Sequence, residues 1–179
     1  MIFAQYKTRQ EKGYFNITNI AEPQYLQSID TSNLSNATTY IKRVGFSFNT
    51  INGIFLNPNF SAGLGAGMQF TQYKAYMAAG ADQSRSLTLL PVFADFRYYP
   101  ADHRNDAMFI LDVGYAPLLK IGEADDKAYL GGGALLKLGA GYKFELGDIM
   151  SLLPSVSFNA QRLGANTVLG VSIGVGLMF

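Results

Sequence analysis

Across its 179 residues the chain carries 14 Lys and Arg against 13 Asp and Glu, and a formal charge of +1 provides no field to attract nucleic acid or steer an acidic substrate. It has no cysteine and one histidine, which excludes a disulfide framework and a thiolate nucleophile and argues against a transition-metal centre, so no cofactor or metal is expected. No run reaches the ~18 to 20 continuous apolar residues of a membrane helix, so the chain can span a bilayer only as a closed barrel.

Residues 1–12 read as a lead-in. Met1-Ile2-Phe3-Ala4-Gln5 lacks a basic n-region and an apolar h-region. Phe3-Ala4-Gln5 nevertheless resembles the residues around a secretory cleavage point, as a trimmed precursor with an added start Met would; an ordinary N-terminal segment is the alternative. From 13 to 179 a single domain is expected.

Within that domain hydrophobicity repeats with period two, the signature of half-buried strands. Phe15 and Ile17 oppose Tyr14, Asn16 and Thr18, weakly. Val44, Phe46 and Phe48 oppose Arg43, Gly45, Ser47 and Asn49. Phe60 to Phe70 alternates with Ser61, Gly63, Gly65, Gly67 and Gln69, and Leu90 to Tyr98 with Pro91, Phe93, Asp95 and Arg97. Phe109 to Tyr115 alternates with Ile110, Asp112 and Gly114, and Leu136 to Leu146 with Lys137, Gly139, Gly141, Lys143 and Glu145. Leu152, Val156, Phe158 and Ala160 oppose Ser155, Ser157, Asn159 and Gln161. The last segment sets Leu169, Val171, Ile173, Val175, Leu177 and Phe179 against Gly170, Ser172, Gly174, Gly176 and Met178. This makes eight strands, and an all-β, eight-stranded antiparallel up-and-down transmembrane β-barrel is predicted.

Connections alternate in length. Residues 52–59, 100–106 and 147–150 are short turns rich in Asn, Asp, Gly and Pro, whereas 21–39, 73–86 and 121–130 are longer and polar; only 164–166 breaks the alternation. Long loops on one side, with short turns and both termini on the other, is the plan of outer-membrane barrels, which puts the termini in the periplasm and the long loops outside the cell. Pro91, Pro117 and Pro154 cannot donate to a ladder and are expected at rims or bulges.

The charges Arg43, Asp95, Arg97, Asp112, Lys137, Lys143 and Glu145 share faces with Gly and Ser, while the opposite faces are apolar. A soluble lipocalin-like barrel would need charge outside. An eight-strand interior is just filled by side chains, so the small polar face is assigned to the lumen and the apolar face to lipid. Phe15, Phe48, Phe60, Tyr98, Phe109 and Phe144 lie near short-turn strand ends and are assigned to an interfacial aromatic girdle. The lumen charges are read as a paired internal network; a narrow gated ion path is the alternative.

Gly13-Tyr14-Phe15-Asn16-Ile17-Thr18, the run Pro91-Val92-Phe93-Ala94-Asp95-Phe96-Arg97-Tyr98-Tyr99 and the alternating terminal strand resemble small outer-membrane barrels of the OmpA/OmpX-like type, in their Bacteroidetes form. The resemblance covers the chain from about Gly13 onward. It implies fold and outer-membrane location better than activity, since such barrels serve as adhesins, anchors, receptors and a few lipid-modifying enzymes. Val175, Leu177 and Phe179 resemble the terminal signal read by the barrel assembly machinery. Partners expected on this reading are outer-membrane lipids, that machinery during insertion and an unknown extracellular partner at the loops, with the protein itself a monomer.

Three other motifs carry less. Gly63-Leu64-Gly65-Ala66-Gly67 lacks the following helix of a phosphate cradle and reads as lumen clearance. His103, in a short turn, is at the wrong end for the outer-leaflet chemistry of barrel-type lipid A deacylases and proteases and reads as solvated, so no catalytic residue is assigned. Asn16-Ile17-Thr18, Asn33-Leu34-Ser35 and Asn36-Ala37-Thr38 match the glycosylation pattern, which means little in a bacterial barrel. The first long loop, with Tyr25, Leu26, Ile29 and Leu34, is a candidate recognition surface.

Deletion of Phe179 should lower the folded level in cell membranes far more than it lowers refolding in detergent. Equal losses in both would mean that the residue contributes only interfacial burial, worth about 1.5 to 3 kcal/mol.

Overall fold

The computed structural model describes residues 13–25, 38–76, 82–101, 105–121, 132–147, 149–163 and 166–179. Ten strand segments form one antiparallel sheet: β1 (Tyr14–Tyr25), β2 (Thr38–Asn57), β3 (Phe60–Tyr76), β4 (Asp82–Leu89), β5 (Val92–Tyr98), β6 (Asp106–Ala116), β7 (Leu118–Ile121), β8 (Gly133–Glu145), β9 (Ser151–Leu163) and β10 (Asn166–Met178). β4 and β5 are one barrel strand interrupted at Leu90-Pro91, and β6 and β7 are one strand interrupted at Pro117, so the eight expected strands are present. The sheet closes because β2 pairs both β1 and β3, and β1 pairs β10.

The register sets the shape. Starting at Phe15 and stepping across hydrogen-bonded neighbours, the row runs through Gly53, Gly63, Asp95, Asp112, Lys137, Asn159 and Gly170, then returns to β1 at Tyr25, ten residues further on. Ten rises of ~3.3 Å against eight spacings of ~4.8 Å give a strand tilt of about 40° and a backbone cylinder about 8 Å in radius. Little room remains once side chains point inward.

Glycine supplies that room. A Cβ at Gly53 would sit 2.4 Å from the Phe15 ring, one at Gly65 2.4 Å from the Phe93 ring, and one at Gly141 2.6 Å from the Met108 methyl. Each of these three inward side chains lies over a glycine on a neighbouring strand, which gives the glycine-rich faces a structural role.

The turns are tied chemically at the end where β1 begins and β10 finishes, here the turn end. Asn59 accepts from the Tyr99 N–H through its carbonyl (2.8 Å) and donates its Nδ2 to the Tyr99 carbonyl (2.8 Å), binding the β2–β3 turn to the end of β5. Gly147, at φ 122°, makes the reversal between β8 and β9 in a conformation that a side chain would strain. Phe179 exchanges both backbone hydrogen bonds with Asn16, at 3.0 and 2.8 Å, so the last residue completes the seam between the last strand and the first.

Several expectations are corrected. Residues 52–57 belong to β2 and not to a turn, and β1, β3 and β4 run further from the turn end than their hydropathy suggested, to Tyr25, Tyr76 and from Asp82. Pro91 and Pro117 do mark strand interruptions, but Pro154 lies inside β9; the β8–β9 pairing skips the step beside it, between Gly141↔Ser155 and Phe144↔Leu152. Phe15 and Ile17, read as lipid-facing, are 2% and 0% exposed. Pairing decides this: Ile17 lies opposite Ile51 and Met178, both inward, so Tyr14, Asn16 and Thr18 face out. The lumen is accordingly more apolar than a small polar face implies.

Gly65→Ala should destabilise the barrel by about 1 to 3 kcal/mol through overpacking against Phe93. Combining it with Phe93→Leu should cost less than the sum of the two single changes, as measured by urea unfolding in detergent; strict additivity would show that the ring and the glycine are not coupled.

Candidate functional site

The interior divides into three zones along the barrel. Nearest the turn end, Phe15, Ile17, Ile51, Phe55, Met108, Ile110, Leu153 and Met178 form a buried apolar cluster, which Phe93, with Leu135 packed against it, continues toward the other end. The Phe15, Phe55 and Tyr99 rings follow one another at 5.2 and 5.7 Å. Lys143 lies beside this cluster, its Nζ 5.7 Å from the Tyr99 ring centroid and 3.7 Å from Glu145. Asp106, opposite Lys143 in register, accepts the Ala101 N–H at 2.9 Å and so closes the β5–β6 turn.

The middle zone holds a charge quartet. Arg97 and Asp95, 2% and 0% exposed, point inward from alternate positions of β5. The guanidinium donates Nε to both carboxylate oxygens (2.9 and 3.1 Å) and Nη2 to one (3.1 Å), while Nη1 reaches the Met108 sulfur at 3.7 Å. Asp112 stands directly opposite Asp95 on the neighbouring strand, and Lys137, opposite Asp112 on the next, binds it at 3.0 Å. Two carboxylates face each other, offset by two cations. The sum is zero, and the forked Arg97 contact supplies the hydrogen bonds that a desolvated ion pair requires.

Beyond the quartet, away from the turn end, the described residues enclose a small cup of about 50 Å³. Asp112 and Lys137 line it with the amides and hydroxyls of Asn49, Gln69, Asn159, Gln161 and Ser172, and Pro23, Pro91, Phe93 and Leu135 contribute apolar wall. Gln69 and Gln161, from strands four apart on the circumference, are hydrogen-bonded across the lumen at 3.3 Å. Ser172 links Ser157 (2.7 Å) and Asn159 (2.9 Å) on the adjoining wall.

Of the seven lumen charges named from sequence, Asp95, Arg97, Asp112, Lys137, Lys143 and Glu145 are thus in ion pairs. The Arg43 side chain and His103 lie outside the described residues, as does most of the first long loop. Among the girdle aromatics, Tyr98, Phe109 and Phe144 are exposed outward near the turn end and Phe60 is half-buried against Phe96; Phe15 is in the plug, and Phe48, though outward, lies nine residues from the turn end of β2, because that strand continues to Asn57, and so is not part of that girdle. Val175 and Phe179 are exposed on the outer face and Leu177 is half-buried there.

The plug itself was missed. Its signal was present: on the small faces, Ile110, Leu153 and Met178 replace Gly and Ser as each strand nears the turn end.

A closed eight-strand barrel with an apolar exterior and a charged, plugged lumen defines the small outer-membrane barrel fold. The outer membrane protein OprG from Pseudomonas aeruginosa superposes with a TM-score of 0.66 at 15% identity, over 93% of this chain and 96% of that one. Neisserial surface protein A gives 0.56 at 16% identity, over 93% and 96%, and the outer membrane protein AlkL 0.56 at 14%, over 100% and 93%. No protein-family model and no curated protein sequence matches the chain.

Arg97→Ala, which strands Asp95 in the lumen, should cost about 3 to 5 kcal/mol, and Asp95→Ala a comparable amount. Lys137→Ala, at the wetter cup floor, should cost less. Denaturant midpoints in detergent micelles check the order; equal costs at positions 97 and 137 would mean that the middle of the lumen is as hydrated as its mouth.

Proposed function

We propose that the protein is an integral, non-enzymatic barrel of the bacterial outer membrane, with both termini in the periplasm, that serves as a structural or surface-recognition element through the cup and the loops opposite the turn end. The outer surface supports the membrane setting. Ile173 on β10, Leu64 on β3, and Tyr115 and Phe109 on β6 are 64%, 71%, 54% and 53% exposed, a surface suited to hydrocarbon and unsuited to water.

The observation that carries the role is the apolar plug. With Phe15, Ile17, Ile51, Met108 and Leu153 packed across the lumen below the ion pairs, a solute entering the cup meets hydrocarbon side chains instead of a path. Conduction would require Arg97 to leave Asp95 and the plug to part together, two separate desolvation and packing costs. The lumen charges support a non-enzymatic reading in the same way, because the carboxylates and cations are engaged with one another. Recognition at the open end needs neither event.

In cells the protein should fractionate with the outer membrane and shift in apparent mass between unheated and boiled gel samples, since closed ladders resist detergent. In planar bilayers it should show no open-channel steps. A Phe15→Ala, Ile17→Ala, Ile51→Ala variant should begin to leak ions. Regular conductance steps from the unmodified protein would overturn the plugged reading in favour of a gated channel, and free solubility without a heat shift would overturn the membrane assignment.

A further inference from the structure

The outer wall of the barrel carries a groove of about 650 Å³ across β3, β5, β6 and β8. Its form follows from the register. Phe60, Tyr98 and Phe109 stand along one hydrogen-bonded row, and Phe96, Leu111 and Leu138 along the next outward row, two residues further from the turn end. Between the rows run Arg97 and Ile110, whose side chains turn into the lumen, and Gly139, which has none, so the floor of the groove is backbone. Ring pairs hold the walls: Phe60 lies against Phe96 and Tyr98 against Phe109, both with centroids 6.4 Å apart and planes within 22° of parallel.

The groove has a direction as well as a shape. Phe60 begins β3 and Tyr98 ends β5, which puts one end at the turn-end rim, whereas Leu138 lies midway along β8. There Ala140, beside Phe109, takes the place of a ring in the first row and leaves that end without a wall. The only hydroxyl among the six wall side chains, that of Tyr98, belongs to the rim end, at the depth where tyrosine meets the headgroup region of a bilayer.

Width selects the occupant. Outward rows two residues apart along a strand are separated by ~6.6 Å, too narrow for a helix of ~10 Å diameter. An extended peptide would bring backbone groups of its own, and the floor, already paired in the β5–β6–β8 ladders, has no donor or acceptor to offer them. A hydrocarbon chain needs none. We propose that the groove binds one acyl chain of a phospholipid from the leaflet at the turn end, with the headgroup at the Phe60–Tyr98 rim and the methyl end toward Ala140. The inference rests on the membrane reading above, and a chain held in this way ties the height of the barrel to that leaflet.

The test uses the full chain, purified from its membrane in mild detergent. The unmodified protein should retain about one phospholipid per barrel. Phe96→Ala with Phe109→Ala should lose it while keeping the heat-dependent gel shift, whereas Val156→Ala with Val175→Ala, which trims exposed side chains on β9 and β10, should keep it. The chain has no tryptophan, so one introduced indole reports on one position. Leu138→Trp should be quenched saturably by phosphatidylethanolamine carrying brominated acyl chains, and Ile173→Trp, exposed on β10 at about the same depth, only in proportion to the bulk lipid. A heat-shifted barrel that retains no phospholipid and is quenched proportionally at both positions overturns this inference alone, as does equal retention by the two double variants. Retention of lipid A in place of phospholipid overturns the choice of lipid and leaflet. A soluble chain without a heat shift overturns the membrane reading and this inference with it.

Discussion

Closure of the hydrogen-bond ladder is the constraint on which the rest of the structure depends. Every backbone N–H and C=O at membrane depth must find a partner within the protein, and eight strands meet that requirement only if the first pairs the last. The pairing adopted displaces the chain by ten residues per circuit, from Phe15 to Tyr25, and that displacement sets tilt, radius and interior volume together. Side chains then have to fit a cylinder whose size they did not choose. Gly53 under Phe15 and Gly65 under Phe93 are the local consequences, and the reciprocal bonds between Asn16 and Phe179 are the last step of closure.

The same narrowness explains how the lumen accommodates charge. A wide barrel hydrates its interior; this one has room for side chains and little else below the cup. The charges therefore occur as pairs on alternate or directly opposed positions, Asp95 with Arg97 and Asp112 with Lys137. The quartet sits at the boundary between an apolar plug and a polar cup, where the cations remain within reach of the wetter side. The placement is asymmetric: among the described residues the apolar cluster lies mainly toward the turn end, and most of the polar lumen residues lie away from it.

Outside, the demand is reversed, since hydrocarbon rewards apolar surface and penalises unpaired amides. Most of the circumference obeys this. The departure on β1 and β2, where Tyr14, Asn16 and Asn52 lie, is confined to two adjacent strands, and its residues bond one another before anything else.

The sequence by itself determined strand number, alternation of faces, the side on which the long connections lie and the charges that belong inside. All of these follow from period two and turn chemistry, which are local. It gave the wrong phase for β1, placing Phe15 and Ile17 outward, because hydropathy ranks them above Tyr14, Asn16 and Thr18, a face that is polar without being charged. Only pairing with β2 and β10 decided it, by placing Ile17 between Ile51 and Met178. The plug, the partner chosen by each lumen charge and the polar stripe all follow from that decision, since each depends on which residues of distant strands come to lie at the same level, and the ten-residue offset is a property of the closed circuit that no single strand encodes.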